Sequence, residues 1–189
     1  MQFPLFDAGL AAHLHEDGAP PSPPGNIVHV MLKPSGDLAE RISKLGGNDR
    51  NRGADLLHTT IQPIGDRRWI TDADIEATGR ALSQLRYPPF LMMFDRMEGG
   101  ESMALRGGDL GNPAAQDFRL AVLDMLSSHF RRLPAYHFHP HMTLDHRGGR
   151  PGRLLDQPIA WLIEEFMLVE SAHGGTHHIE WGRWRLRGD

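Results

Sequence analysis

The chain has 189 residues, 40% of them hydrophobic and 23% charged, enough for one sizeable core. No apolar run approaches the ~18 residues that a membrane span needs. Zero cysteines exclude disulfides, thiol nucleophiles, iron–sulfur clusters and Cys-ligated zinc, so any chemistry falls to His, Ser/Thr, carboxylates or a bound ion. A formal net charge of −4 argues against a basic surface that coats long nucleic acid, while a local basic patch stays open.

In chain order, residues 1–25 read as an N-terminal extension. They lack a basic segment followed by an apolar stretch of signal length, so a cytoplasmic home is expected. The stretch APPSPPGN (residues 19–26) is a proline-rich linker, and a single domain over residues 26–189 is expected to follow. IVHVML from Ile27 reads as a strand, and DLAERISKL places Leu38, Ile42 and Leu45 at helical spacing. ADLLHTTIQPI reads as a strand from Ala54 to Ile64 ending at Pro63, and Thr71 to Leu85 as a helix opened by a Thr/Asp cap. FLMMFDRM and SMALRG form a hairpin about Gly99-Gly100, and Asn112-Pro113 opens a long helix. HFHPHMTLDH, WLIEEFMLVES and HHIEWGRWRL read as three closing strands. The order β α β α β β α β β β predicts an α+β fold with antiparallel sheets rather than a regular doubly wound one. The paired glycines lack the strand, spacing and Lys of a phosphate-binding loop and are read as turns.

Twelve histidines are a high count for the side chain whose unperturbed pKa of about 6.5 lies near physiological pH. Two tetrapeptides repeat one pattern: HTTI from His58 and HMTL from His141, 83 residues apart. On a strand, residues two apart share a face. His58 with Thr60, and His141 with Thr143, therefore each present an imidazole and a hydroxyl together, with Ile61 and Leu144 turned to the core. If the two strands face one another, one neutral imidazole can take a proton from a nucleophile and one protonated imidazole can supply the leaving oxygen. The hydroxyls then hold the non-bridging oxygens of a phosphate. A lone H-x-T is weak; the matched pair in successive halves of the chain carries the inference.

With LLHTTIQPIGD and HPHMTLDH, the chain resembles the two-histidine (2H) phosphoesterase superfamily, in its branch of 2′-5′ RNA ligases and RNA 2′,3′-cyclic phosphodiesterases. The closing FMLVES and IEWGRWRL segments are similar to that family's last two strands, and the resemblance spans about Ile27 to Leu186. It implies a bilobal fold: two antiparallel sheets related by a pseudo-twofold axis about a central cleft, with helices outside. It also implies hydrolysis of a cyclic phosphodiester with no metal and no cofactor, on RNA 3′ ends or small cyclic nucleotides. His58 and His141 would be catalytic, Thr60 and Thr143 would bind phosphate, and any ligase activity would be the reverse reaction. Two departures stand out: Asp145-His146 follows the second motif, where the family often has a small residue and then Arg, and the 25-residue extension is unusual.

Two other readings stand beside it. On an unbroken strand His137, His139 and His141 would share one face and, with Asp145 or His146, supply ligands of a metal-dependent hydrolase. A catalytically silent module that binds nucleotides or RNA ends on the same fold is the third. In the last strand, Trp181, Arg183, Arg185 and Arg187 alternate onto one face, either as a platform for a base and its phosphates or as a solvated arginine face with Trp184 and Leu186 in the core. Trp181, Arg183, Arg185 and His139 are the candidate substrate contacts.

Overall fold

A computed structural model describes residues 25–46, 53–108, 111–130, 133–146, 151–172 and 177–188. The expected extension therefore lies outside the described residues except for Gly25. The elements are β1 (Ile27–Leu32), α1 (Gly36–Ser43), β2 (Thr59–Asp66), α2 (Asp72–Leu82), β3 (Phe90–Glu98) and β4 (Met103–Arg106). There follow α3 (Pro113–Ser127), β5 (His141–Asp145), β6 (Arg153–Ile163), β7 (Glu165–Ser171) and β8 (His178–Arg185). They build two four-stranded sheets, ordered β2-β1-β7-β8 and β5-β4-β3-β6, and every strand pair within them is antiparallel. The fold is α+β and bilobal. Among the described residues no helix is long and apolar enough to cross a membrane.

Local chemistry explains most boundaries. Thr71 closes a reciprocal capping box with Asp74 at the start of α2. Pro113 opens α3, but Asn112 does not cap it. Its buried side chain accepts from the Met93 backbone N–H at 2.7 Å and donates to the Met93 carbonyl at 3.1 Å, tying the helix start to β3. Strand β2 runs past Pro63 to Asp66. It is an edge strand, where a missing ladder donor is tolerated.

Two of the expected closing strands need correction. WLIEEFMLVES is not one strand: Ile163 pairs with Phe90 in the second sheet, whereas Glu165 pairs with Arg185 in the first. The chain changes sheets at the exposed Glu164, whose carbonyl accepts from Leu186 at 2.7 Å. The exposed Leu154 hides the first half of β6 from sequence patterning, as does Pro158, which sits where the β3–β6 register shifts. Likewise HFHPHMTLDH is strand only from His141 onward, and residues 133–140 are irregular.

One core joins both sheets and the three helices: Val28, Val30 and Leu32 of β1, Ile42 of α1, Ile75 of α2, Phe94 of β3, Phe118 and Val122 of α3, and Phe166 and Leu168 of β7. Phe118 sits at its centre, with ring centroids 5.2 Å from Tyr87, 5.3 Å from Phe90 and 5.4 Å from Phe166. The other face of the first sheet carries a small separate cluster of Met31, Met167 and Val169. Met31 pairs with Thr60 across the β1–β2 ladder and with Met167 across the β1–β7 ladder. Thr60 therefore belongs to the face turned away from the main core.

Candidate active site

The first motif begins outside its strand. Ala54–Leu56 forms a 3-10 turn, and His58 precedes β2 by one residue instead of lying within a strand from Ala54. The turn brings the Leu56 carbonyl to 2.8 Å from Nδ1 of His58. A carbonyl only accepts, so Nδ1 carries the proton and Nε2 is the nitrogen left for chemistry. Thr60, 5% exposed, lies two residues on, and Ile61 enters the core.

The second motif repeats this geometry. Nδ1 of His141 lies 2.7 Å from the carbonyl of His139, again two residues upstream. His141 and Thr143 pair with Arg106 and Ala104 of β4, while Met142 and Leu144 are buried in the core. The irregular approach to β5 is held by a bracket that starts in the first motif. The side-chain amide of Gln62, on β2, donates to the Pro134 carbonyl at 3.1 Å, and its oxygen accepts from Arg119 at 2.9 and 3.1 Å. Arg119 also donates to the Tyr136 carbonyl and lies over the rings of Tyr136 and Phe138, at 5.7 and 5.4 Å. β2 and β5 are edge strands of different sheets and touch one another. The tertiary fold thus joins two motifs 83 residues apart in sequence.

The two imidazoles have different surroundings. Burial holds His141 below the ordinary histidine pKa; its bond to the His139 carbonyl opposes this, Arg106 and His139 push it further down, and Glu98 pulls it up. The Arg106 guanidinium is ion-paired with Glu98. Beside His58 stands the ring of His178, edge-on with centroids 5.0 Å apart and planes at 78°. Nζ of Lys33 lies 3.0 Å from Nδ1 of His178. Sequence reading missed Lys33 and His178. Lys33 stands near the first motif because Leu32 pairs with Thr59 across the β1–β2 ladder, so the residue after β1 neighbours the residue before β2. Nothing in the sequence placed His178, because its position depends on the β7–β8 register.

The remaining candidates are scattered. Trp181 does not share a face with Arg183, because the β7–β8 register shifts between Leu168 and Val169 and leaves Trp181 as the extra residue. Trp181 instead lines a small cavity of about 330 Å³ with Trp184 and α2 residues Ile75, Gly79 and Arg80. Its indole N–H donates to Glu170 at 3.1 Å, and Arg67 lies over its ring. Arg183 is paired with Glu165 and Glu180. Arg185 is exposed. His139 contributes its carbonyl to His141, and its exposed ring packs against His137 with centroids 4.4 Å apart. Residues 137–140 are not a strand, so the expected alternation of His137, His139 and His141 is lost. Among the described residues no three His, Asp or Glu side chains converge as a metal site.

No protein-family model matches the sequence, and no curated protein matches it. Solved structures do match. E. coli LigT complexed with 3′-AMP superposes with a TM-score of 0.66 at 18% identity, covering 86% of this chain and 99% of LigT. The chain has the fold of LigT. A crystal structure described as a phosphoesterase gives a TM-score of 0.68 at 18% identity, over 86% of this chain and 99% of the other. TT0787 of Thermus thermophilus gives 0.61 at 20% identity, with the same coverages. In this LigT-like fold Thr60 and the second H-x-T motif lie on the two edge strands that meet, and His58 immediately precedes the first of them.

Proposed function

We propose that the protein is a metal-independent phosphodiesterase that opens 2′,3′-cyclic phosphates on RNA ends or small nucleotides. The matched pair of histidines carries this reading. Each is tied through Nδ1 to the carbonyl two residues upstream, and each is followed at the second residue by a threonine. E. coli LigT, whose fold the chain shares, has been crystallised with 3′-AMP, NADP+ and ATP, which favours a nucleotide as the ligand here.

In this reading the depressed pKa of His141 makes it the base. Its neutral Nε2 takes a proton from water as the water oxygen bonds to phosphorus. The bond from phosphorus to the 3′-oxygen breaks, and Nε2–H of protonated His58 supplies that oxygen with its proton, leaving a 2′-phosphate and a 3′-hydroxyl. Thr60 and Thr143 donate to the non-bridging oxygens, where charge accumulates. His58 ends neutral and His141 protonated, and exchange with solvent restores both. Nδ1–H keeps its carbonyl partner in either protonation state, so neither ring has to turn during the cycle.

The test is hydrolysis of a cyclic-phosphate-terminated oligonucleotide and of a cyclic mononucleotide in the presence of EDTA. Turnover should persist in chelator. His58→Ala and His141→Ala should each lose about 10² to 10⁴-fold in kcat, and the double variant far less than the product of the two. Thr60→Val and Thr143→Val should lower kcat by on the order of 10²-fold without changing the shape of the pH profile. Activity that vanishes in EDTA and returns with zinc would favour metal chemistry, and nucleotide binding without turnover would favour the silent module.

A further inference from the structure

Two side chains beside His58 have no part in the proton transfers above, and their contacts run in series. The Lys33 ammonium meets Nδ1 of His178 at 3.0 Å, and the His178 ring meets the His58 ring at 5.0 Å. An ammonium group has donors only, so Nδ1 of His178 is the acceptor. The single proton of that ring then sits on Nε2, and the ring is neutral. Taking up a second proton would break the bond and set an imidazolium against Lys33. Other titratable groups face the same spot. His29, buried on β1, feels His178 electrostatically, and Glu180 on β8 faces both Lys33 and Arg183.

From these contacts we propose that Lys33 and His178 are positioning residues for His58. Lys33 keeps His178 neutral with its Nδ1 accepting, and the His178 ring is a second restraint on His58, added to that of the Leu56 carbonyl. The proposal rests on the reading of His58 as the general acid. In that role His58 carries a positive charge for part of each cycle, and a neighbour free to protonate would repel it. A single hydrogen bond leaves an imidazole free to swing about its Cβ–Cγ bond, whereas an edge-on ring fixes the plane in which Nε2–H points. Misaimed donors cost rate rather than affinity.

The experiment compares kcat and KM for a 2′,3′-cyclic mononucleotide across the wild type, His178→Ala, His178→Phe, Lys33→Met and the Lys33→Met/His178→Phe double variant. His178→Ala should lower kcat by about tenfold with KM nearly constant, and His178→Phe should recover most of that loss because a ring remains. Lys33→Met should lower kcat chiefly below about pH 6.5, where the released His178 takes up a proton. That effect should disappear in the His178→Phe background. A rise in KM at constant kcat in either single variant would overturn the proposal, since Lys33 or His178 would then be binding substrate; equal losses for Ala and Phe would also overturn it.

A second readout does not depend on turnover. In NMR titration of the full chain, the His178 ring should stay neutral between pH 5.5 and 8 in the wild type and titrate in Lys33→Met. A wild-type His178 that titrates near pH 6.5 would overturn the proposal even if hydrolysis is observed. A neutral His178 in a protein that opens no cyclic phosphate would instead remove the catalytic reading and leave the Lys33–His178 pairing standing.

Discussion

Arg106 lies directly across the β4–β5 ladder from His141, so the base of the proposed reaction has a guanidinium for its strand neighbour. Glu98, paired with that guanidinium, is the counterweight. Burial first, and then Arg106 and His139, hold His141 below the usual histidine range, against the pull of its own carbonyl bond and of Glu98. A base has to be neutral to act, so a lowered pKa widens the acidic end of its working range.

Arg106→Gln should therefore move the acid limb of the kcat/KM profile to higher pH, because a cation that disfavours the imidazolium has been removed. Glu98→Gln should move it to lower pH. The pH–rate profile of each variant checks the sign, and the two shifts should be opposite.

The bracket between Gln62 and Arg119 sets the path of residues 134–138 into the second motif. Arg119→Met removes three hydrogen bonds to Gln62 and the Tyr136 carbonyl, and leaves the buried Gln62 oxygen without its donor. About 2 kcal/mol of stability should be lost, which for a chain of 189 residues corresponds to a fall in Tm of about 4–8 °C. Because His139 and His141 lie downstream of the bracket, kcat should fall as well. Calorimetry with steady-state kinetics on the one variant measures both.

Trp181 and Glu170 belong to a structural hub on the helix side of the first sheet. Buried Glu170 accepts from the indole N–H of Trp181 at 3.1 Å and from Asn26 at 2.6 Å, and pairs with Arg67 at 3.2 Å. Trp181→Phe should cost about 1 kcal/mol of stability and leave KM for the cyclic substrate where it was. Glu170→Ala should cost about 3 kcal/mol, since it strands three partners. Thermal melts and KM values for both variants separate a hub from a substrate platform.

His29 is buried, and its pKa is pushed down to about 3, mainly by burial and further by His178. Among the described residues its Nδ1 has no hydrogen-bond partner. The folded chain therefore holds this ring neutral, while the unfolded chain takes up a proton near pH 6.5. Its contribution to stability is complete above pH 6.5 and drains as pH falls towards 3, at about 1.4 kcal/mol per pH unit. His29→Leu should flatten that part of the curve of denaturation midpoint against pH.

Residue types and local spacing already determined a good deal. The repeated H-x-T-aliphatic pattern singled out the two segments that the fold brings together, although strand periodicity applies in full only to the second, since His58 lies one residue before β2. The Thr71 capping box and Pro113 marked helix starts, since caps are made within one turn of chain. The alternation of elements called for an α+β fold with antiparallel sheets, and the two sheets are antiparallel throughout. What only the tertiary structure decided depends on register and on contacts between distant segments. The register shift that turns Trp181 away from Arg183 lies in the pairing of β8 with β7. The handover of the chain between sheets at Glu164 lies in which strand each half of WLIEEFMLVES finds to pair with. The groups described around His58 come from three separate segments: the Leu56 carbonyl from a 3-10 turn, His178 from the start of β8 and, behind His178, Lys33 from just past β1. No spacing rule in a single sequence relates such segments, because packing rather than local geometry sets the distances between them.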